Sequence, residues 1–176
     1  MAVTYDFIAS ATSNGSTTEL ALTSIPQTYN DLVVVLCGNS ASTSAIDQLV
    51  LKVNNNTSSE YNMQTAIRAD GSNSFVETQF DGELNYLNFP SMASLNEYEW
   101  GHLEIDIPGY TLSEHKAQGS YQNFISNQSY GQGSGTIASG IDESPKAPIT
   151  ELDFTLLSGL AFVSGSSVRL YGIKNS

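Results

Sequence analysis

Two apolar runs near the C-terminal end constrain this chain more than any other feature. Ile149 to Leu157 reads Ile-Thr-Glu-Leu-Asp-Phe-Thr-Leu-Leu, a Gly/Ser-rich turn follows, and Val168 to Ile173 reads Val-Arg-Leu-Tyr-Gly-Ile. In the first run Leu152, Phe154 and Leu156 alternate with Glu151, Asp153 and Thr155. A period of two is the mark of a strand with one buried face. The second run is rich in β-branched, aliphatic and aromatic residues, which suit a pleated, half-buried surface. Backbone groups in such segments need partners. These residues are therefore expected to pair with strands laid down earlier, so that the last part of the chain closes a sheet.

The remainder reads as a succession of short strands. Val3 to Ala9 carries Val3, Tyr5 and Phe7 on one face, and Asn14-Gly15 marks a hairpin-type turn. Thr17 to Thr23 puts Leu20 and Leu22 on one side, and Ser24-Ile25-Pro26 breaks it. Leu32 to Leu36 has no alternation, which predicts a central strand covered on both faces. Asn39 to Ser44 is a polar loop, and Gln48 to Val53 turns Leu49, Leu51 and Val53 inward and Lys52 outward. Strands are expected at Tyr61 to Ile67, Phe75 to Phe80 and Leu84 to Phe89, with a helical turn at Pro90 to Leu95.

Glu97 to Ile107 predicts a long strand, with a β-bulge at Gly101 where the phase changes. Ser113 to Ile125 predicts another, with Ala117, Gly119 and Tyr121 on one face; Thr136 to Ile141 is a weaker one. No pattern of period 3.6 lasts beyond a turn or two. About ten strands at spacings of roughly a dozen residues predict an all-β, antiparallel β-sandwich. Eight or more strands in two sheets point to the jelly-roll type, with residues 1–176 as a single jelly-roll domain.

Charge excludes several functions. The chain has 18 acidic and 6 basic residues, a formal net charge of -12. Nucleic-acid binding needs a basic footprint, and so does attachment to an anionic membrane surface. Neither is expected. A solvated acidic surface, or a basic partner, fits better. Cys37 is the only cysteine, so no internal disulfide can form. It reads as a small buried hydrophobe in a chain made in a reducing compartment. The N-terminal residues lack a basic region followed by an apolar core, so no secretory signal is expected.

Candidate chemistry is sparse. Glu104 and Asp106 share a strand face about 7 Å apart. They resemble part of the Glu-x-Asp-x-Glu strand of laminarinase-like retaining glycosidases, but Pro108 stands where the acid/base would be. Such enzymes hold two carboxyl groups about 5 Å apart across the sugar. An outward polar strand face explains the pair with fewer assumptions. His102 and His115 lack metal-ligand spacing. Gly131 to Gly135 lacks the Lys-Ser/Thr of a phosphate loop and reads as a flexible tip. Asn54 to Asn56 and Asp70 to Asn73 could offer oxygens to calcium, although turn chemistry accounts for them. Tyr110, Tyr121, Phe124 and Tyr130 are candidates for a sugar-stacking platform, or for core. No catalytic, cofactor-binding or metal-binding residue is assigned, and no cofactor is expected.

Ser24-Ile25-Pro26-Gln27-Thr28-Tyr29-Asn30-Asp31-Leu32, running into an apolar strand, resembles a segment of small structural proteins of tailed bacteriophages, cyanophages and marine phages in particular. Ser158-Gly159, Phe162 to Ser166 and Arg169-Leu170-Tyr171-Gly172-Ile173-Lys174 resemble the C-terminal signature of the same group. The resemblance implies a jelly-roll virion component, made in the host cytoplasm and acting without enzymatic activity. It implies a capsid decoration (cement) protein, a homo-oligomer (trimer) bound to the major capsid protein or other virion proteins. The alternative it offers is a tail-fibre or spike module that binds host surface glycan. The matched positions determine fold and carry no binding residue over.

Overall fold

Both C-terminal runs are strands, and they go to different sheets. The computed structural model describes residues 4–43, 46–55, 61–68, 75–81, 87–90, 100–112, 118–124, 133–139 and 147–174. Among these residues there is no helix. The strands are β1 (Thr4–Thr12), β2 (Glu19–Leu22), β3 (Asp31–Gly38), β4 (Ile46–Val53), β5 (Tyr61–Arg68) and β6 (Phe75–Asp81). They continue with β7 (Leu87–Pro90), β8 (Gly101–Pro108), β9 (Gln118–Phe124), β10 (Gly133–Ser139), β11 (Leu152–Leu156) and β12 (Ser167–Lys174).

An eight-stranded sheet has the order β1-β12-β3-β8-β9-β10-β5-β6, and a four-stranded sheet the order β2-β11-β4-β7. Every pairing is antiparallel. The C-terminal strands each fill an interior place: β12 lies between β1 and β3, and β11 between β2 and β4. Neither sheet is complete until these last residues arrive.

The core lies between the sheets and follows from alternation. Leu32, Val34 and Leu36 of β3, Leu103, Ile105 and Ile107 of β8, and Val168 and Leu170 of β12 form one wall. Leu20 and Leu22 of β2, Leu49 and Leu51 of β4, and Leu152, Phe154 and Leu156 of β11 form the other. Each side chain of this size, removed from water, contributes about 1.5–3 kcal/mol before conformational entropy is subtracted. The result is an antiparallel β-sandwich.

Several expectations need correction. Asn14-Gly15 does turn, with Gly15 at φ 95°. The turn is not a hairpin, because β1 pairs with β12 and β2 with β11. The chain crosses there from one sheet to the other. β8 opens at Gly101, opposite Gly38, and runs in unbroken register from there, while residues 97–99 of the expected strand lie outside the described residues. A register shift falls in β1, between Phe7 and Ala9. The expected loop Gly131 to Gly135 is shorter, since β10 begins at Gly133. The strand expected from Leu84 is described only over Leu87–Pro90.

β3 is interior, as its apolar run predicts, yet its outer face is only partly covered: Val33 is buried and Val35 half-buried. Cys37 lies on that outer face, half-buried rather than in the core. The helical turn expected at Pro90 to Leu95 lies almost wholly outside the described residues.

The stretch from Ser24 to Leu32 and the last strand pack against each other. The Tyr29 ring covers Gly172, where any side chain would collide with it. The Asn30 N–H donates to the Ile173 carbonyl at 2.8 Å. Lys174 sits 4.9 Å from the centre of the same Tyr29 ring and 3.9 Å from Asp6. These residues thus dock the last strand onto the entry to β3.

Candidate functional site

One end of the sandwich gathers the β1–β2, β3–β4 and β11–β12 connections and the residue that enters β8. Its interior is polar. Ser13, Asn39, Ser40, Ser42, Asp47 and Ser166 are all buried there. Burial of such groups is tolerated when hydrogen bonds replace water, and here Ser13, Ser40, Ser166, Asp47 and the Asn39 backbone are bonded in this way. The Ser13 hydroxyl donates to the Phe162 carbonyl at 2.7 Å, and the Ser13 N–H to the Ser166 carbonyl at 2.8 Å. The Asn39 N–H donates to Ser166 Oγ at 3.0 Å, and Val163 N–H donates to the Asn39 carbonyl at 2.9 Å.

Asp47, the second residue of β4, ties two connections together. Its Oδ2 accepts from Ser40 Oγ at 2.5 Å and from Ser158 Oγ at 2.6 Å. Ser40 Oγ in turn accepts the Ser42 N–H at 3.0 Å, and Ser158 Oγ accepts the Leu160 N–H at 3.2 Å. The chain of bonds runs from β4 through both loops. Charge-assisted bonds of this kind are about twice as strong as neutral ones.

Apolar side chains stand out from this polar base. Leu157 is 51% exposed, Leu160 44% and Trp100 40%. Leu157 and Leu160 flank the turn at Gly159, whose φ of 71° suits a residue without a β-carbon. The Trp100 ring lies over Gly165, another left-handed glycine at φ 91°. Leu157, Leu160 and Trp100 thus face solvent at this loop end. The sequence reading missed this end. Asn39 to Ser44 and Ser164 to Ser166 read as ordinary polar loops, and nothing local signals that their serines are buried.

The residues that the sequence offered for chemistry are spread elsewhere. Glu104 and Asp106 are exposed on the outer face of β8, opposite Val35 and Val33 of β3 and Gln122 and Ser120 of β9. Pro108 follows on the same face, opposite Asp31. His102 opens the same row beside Cys37. Burial pushes the Cys37 thiol up, opposed by the nearby positive charge of Arg169. A raised thiol is a poor nucleophile.

Tyr110 is buried at the opposite end of the sandwich, where its hydroxyl donates to the Pro26 carbonyl. It cannot belong to an exposed platform. Tyr121 and Phe124 fall in β9, described by its pairing alone, while His115, Tyr130 and Asp70 to Asn73 lie outside the described residues. Asn54 accepts the Thr150 N–H at 2.8 Å and the Glu151 N–H at 3.2 Å through Oδ1. Its Nδ2 donates to the Pro148 carbonyl at 2.9 Å. Asn54 thus fastens the end of β4 to the approach to β11 by long-range bonds rather than within its own turn, and Asn56 lies outside the described residues.

No cluster of three metal-ligating side chains occurs among the described residues, and these residues hold no helix long and apolar enough to cross a membrane. Comparison with protein-family models, curated proteins and solved structures gives no match to this chain.

Proposed function

We propose that this chain is a virion structural protein of jelly-roll type that decorates an assembled capsid and reinforces contacts between its capsomers. The strand order supports the jelly-roll assignment. The consecutive pairs β1/β2, β3/β4, β7/β8 and β11/β12 each cross between the sheets. These eight strands interleave as β1-β12-β3-β8 on one side and β2-β11-β4-β7 on the other. That is how a doubly folded Greek key lays its strands down. β5, β6, β9 and β10 then widen one sheet.

The observation that carries the functional reading is the loop end. Trp100, Leu157 and Leu160 are presented on a base that is already hydrogen-bonded, so little ordering cost remains on binding. A subunit that binds only the assembled shell stabilises it by mass action. The acidic surface, at a net charge of -12, keeps unbound copies soluble.

Shells of the encoding virus, assembled with and without the chain, test this. Shells carrying it should survive a higher temperature before releasing DNA. Trp100→Ala and Leu160→Ser should lose shell binding while melting like the wild type. Equal survival with and without the chain, or full binding by both variants, overturns the proposal. Trp100 also supports a second reading, since an exposed indole stacks on sugar rings. A tail-fibre module would bind host polysaccharide through that ring, and measured affinity abolished by Trp100→Ala would favour it.

A further inference from the structure

The part of the eight-stranded sheet's outer face formed by β1, β12, β3 and β8 takes no part in the loop-end reading, and its side chains are ordered by charge. At the β1 edge stand Tyr5 and Phe7, each 59% exposed. Phe7 meets Tyr171 edge-to-face, with ring centres 5.9 Å apart. Next comes β12, with Tyr171 and exposed Arg169; then β3, with Val33 and Val35; then β8, with exposed Asp106 and Glu104. Register aligns these into two rows: Arg169, Val35 and Glu104 in one, Tyr171, Val33 and Asp106 in the other. Across these four strands the face is thus basic and aromatic on the β12 side of β3 and acidic on the β8 side, with Asp31, which accepts the Gly109 N–H at 2.9 Å, at the start of β3 itself. The only ion pair among the described residues is Lys174 with Asp6. The charges of Arg169, Glu104 and Asp106 therefore remain for an outside partner.

We propose that this face binds a second copy of itself about a two-fold axis running along β3. Rotation about an axis parallel to β3, midway between two stacked sheets, keeps each row at its own level and exchanges its ends. β3 then lies over β3, and β12 over β8 of the other copy. Arg169 of each copy faces Glu104 of the other, and the Tyr171 hydroxyl faces Asp106. Val33 and Val35 meet their own counterparts, and the aromatic β1 edge lies over β9. Stacked sheets sit about 10 Å apart, a gap that an arginine and a glutamate side chain together span.

Charge selects this axis over the alternative. A two-fold running across the strands would stack β8 on β8 and bring Glu104 and Asp106 against their own copies, which like-charge repulsion disfavours. An isologous contact requires a patch that complements itself under one rotation. This one does so only for the axis along β3. The proposal does not depend on the capsid reading and is tested on the isolated chain.

The test is sedimentation velocity on the full chain, with charge reversal and rescue. The wild type should form dimers. Arg169→Glu and Glu104→Arg should each raise the dissociation constant by roughly tenfold or more, and the double reversal should restore it. Circular dichroism checks that each variant is folded. Cys37 supplies a second readout, because it lies on β3 and faces its own counterpart across the axis. A short bis-maleimide should join two chains through it in the wild type and the double variant, and far less in either single variant. A monomeric wild type, or an oligomer indifferent to both single reversals, overturns the proposal. An assembly of this face with another virion protein in place of a second copy does so too.

Discussion

Replacing Asp153 with Asn should make the protein more stable at neutral pH. Asp153 sits on β11 between Ala21 of β2 and Lys52 of β4, on the face turned away from the core. It is nevertheless only 4% exposed, and its Oδ1 has no hydrogen-bond partner. Burial, then the nearby charges of Glu151 and Glu19, push its carboxyl up from 3.8 to about 6, with Lys52 opposing. The ionised form is therefore disfavoured in the folded chain. Above pH 6 the group is charged in both states, and the whole penalty applies. Between 6 and 3.8 folding takes up a proton, and the penalty shrinks as the pH falls. Below 3.8 it is gone. A rise of about two pH units corresponds to about 3 kcal/mol, which solvent relaxation beside a sheet surface reduces to about 1–2 kcal/mol.

Urea unfolding of wild type and Asp153→Asn at several pH values measures this directly. At pH 8 the variant should be more stable by that amount, with an unchanged denaturant slope. The gap should close as the pH falls through 6 and vanish below 4. A variant less stable than wild type at pH 8 refutes the reasoning, since it would mean that the carboxylate makes bonds worth more than its desolvation. A gap that does not change with pH refutes it equally.

Other outcomes follow from the same structure. Asp47→Ala leaves the Ser40 and Ser158 hydroxyls without their acceptor and should cost about 2–4 kcal/mol in thermal or urea unfolding; Asp47→Asn, which keeps an acceptor oxygen, should cost less. Gly172→Ala drives a methyl into the Tyr29 ring and should cost more than about 2 kcal/mol. Gly159→Ala meets no neighbour and should cost only about 1 kcal/mol, for its left-handed backbone. Alkylation of Cys37 by iodoacetamide at pH 8 should run at least about threefold slower than that of a free thiol, because burial keeps it protonated.

Alternation made much of the sandwich legible. Leu152, Phe154 and Leu156 name their buried face in the sequence, and so do Leu49 with Leu51 and Leu103 with Ile105 and Ile107. Sheet membership was not legible in the same way. Asn14-Gly15 signals a turn in either architecture, and only long-range pairing decides whether the next strand returns to the same sheet. Strand ends depended on partners: β8 starts at Gly101 because Gly38 is its last partner on β3. The loop end was least legible. Ser40, Ser166 and Asp47 carry no local pattern, and their burial follows from contacts across more than a hundred residues, as between Ser166 and Asn39. Tyr5 and Phe7 do share a face, and it is the outer, exposed one.

Electron microscopy of virus particles that carry this chain bears most directly on the proposed role. Density matching this two-sheet body should lie on the outer surface of the shell, with Trp100, Leu157 and Leu160 against the capsid lattice. The same density in a tail fibre, or a shell surface bare of it while the chain is present in the particle, would contradict the proposal.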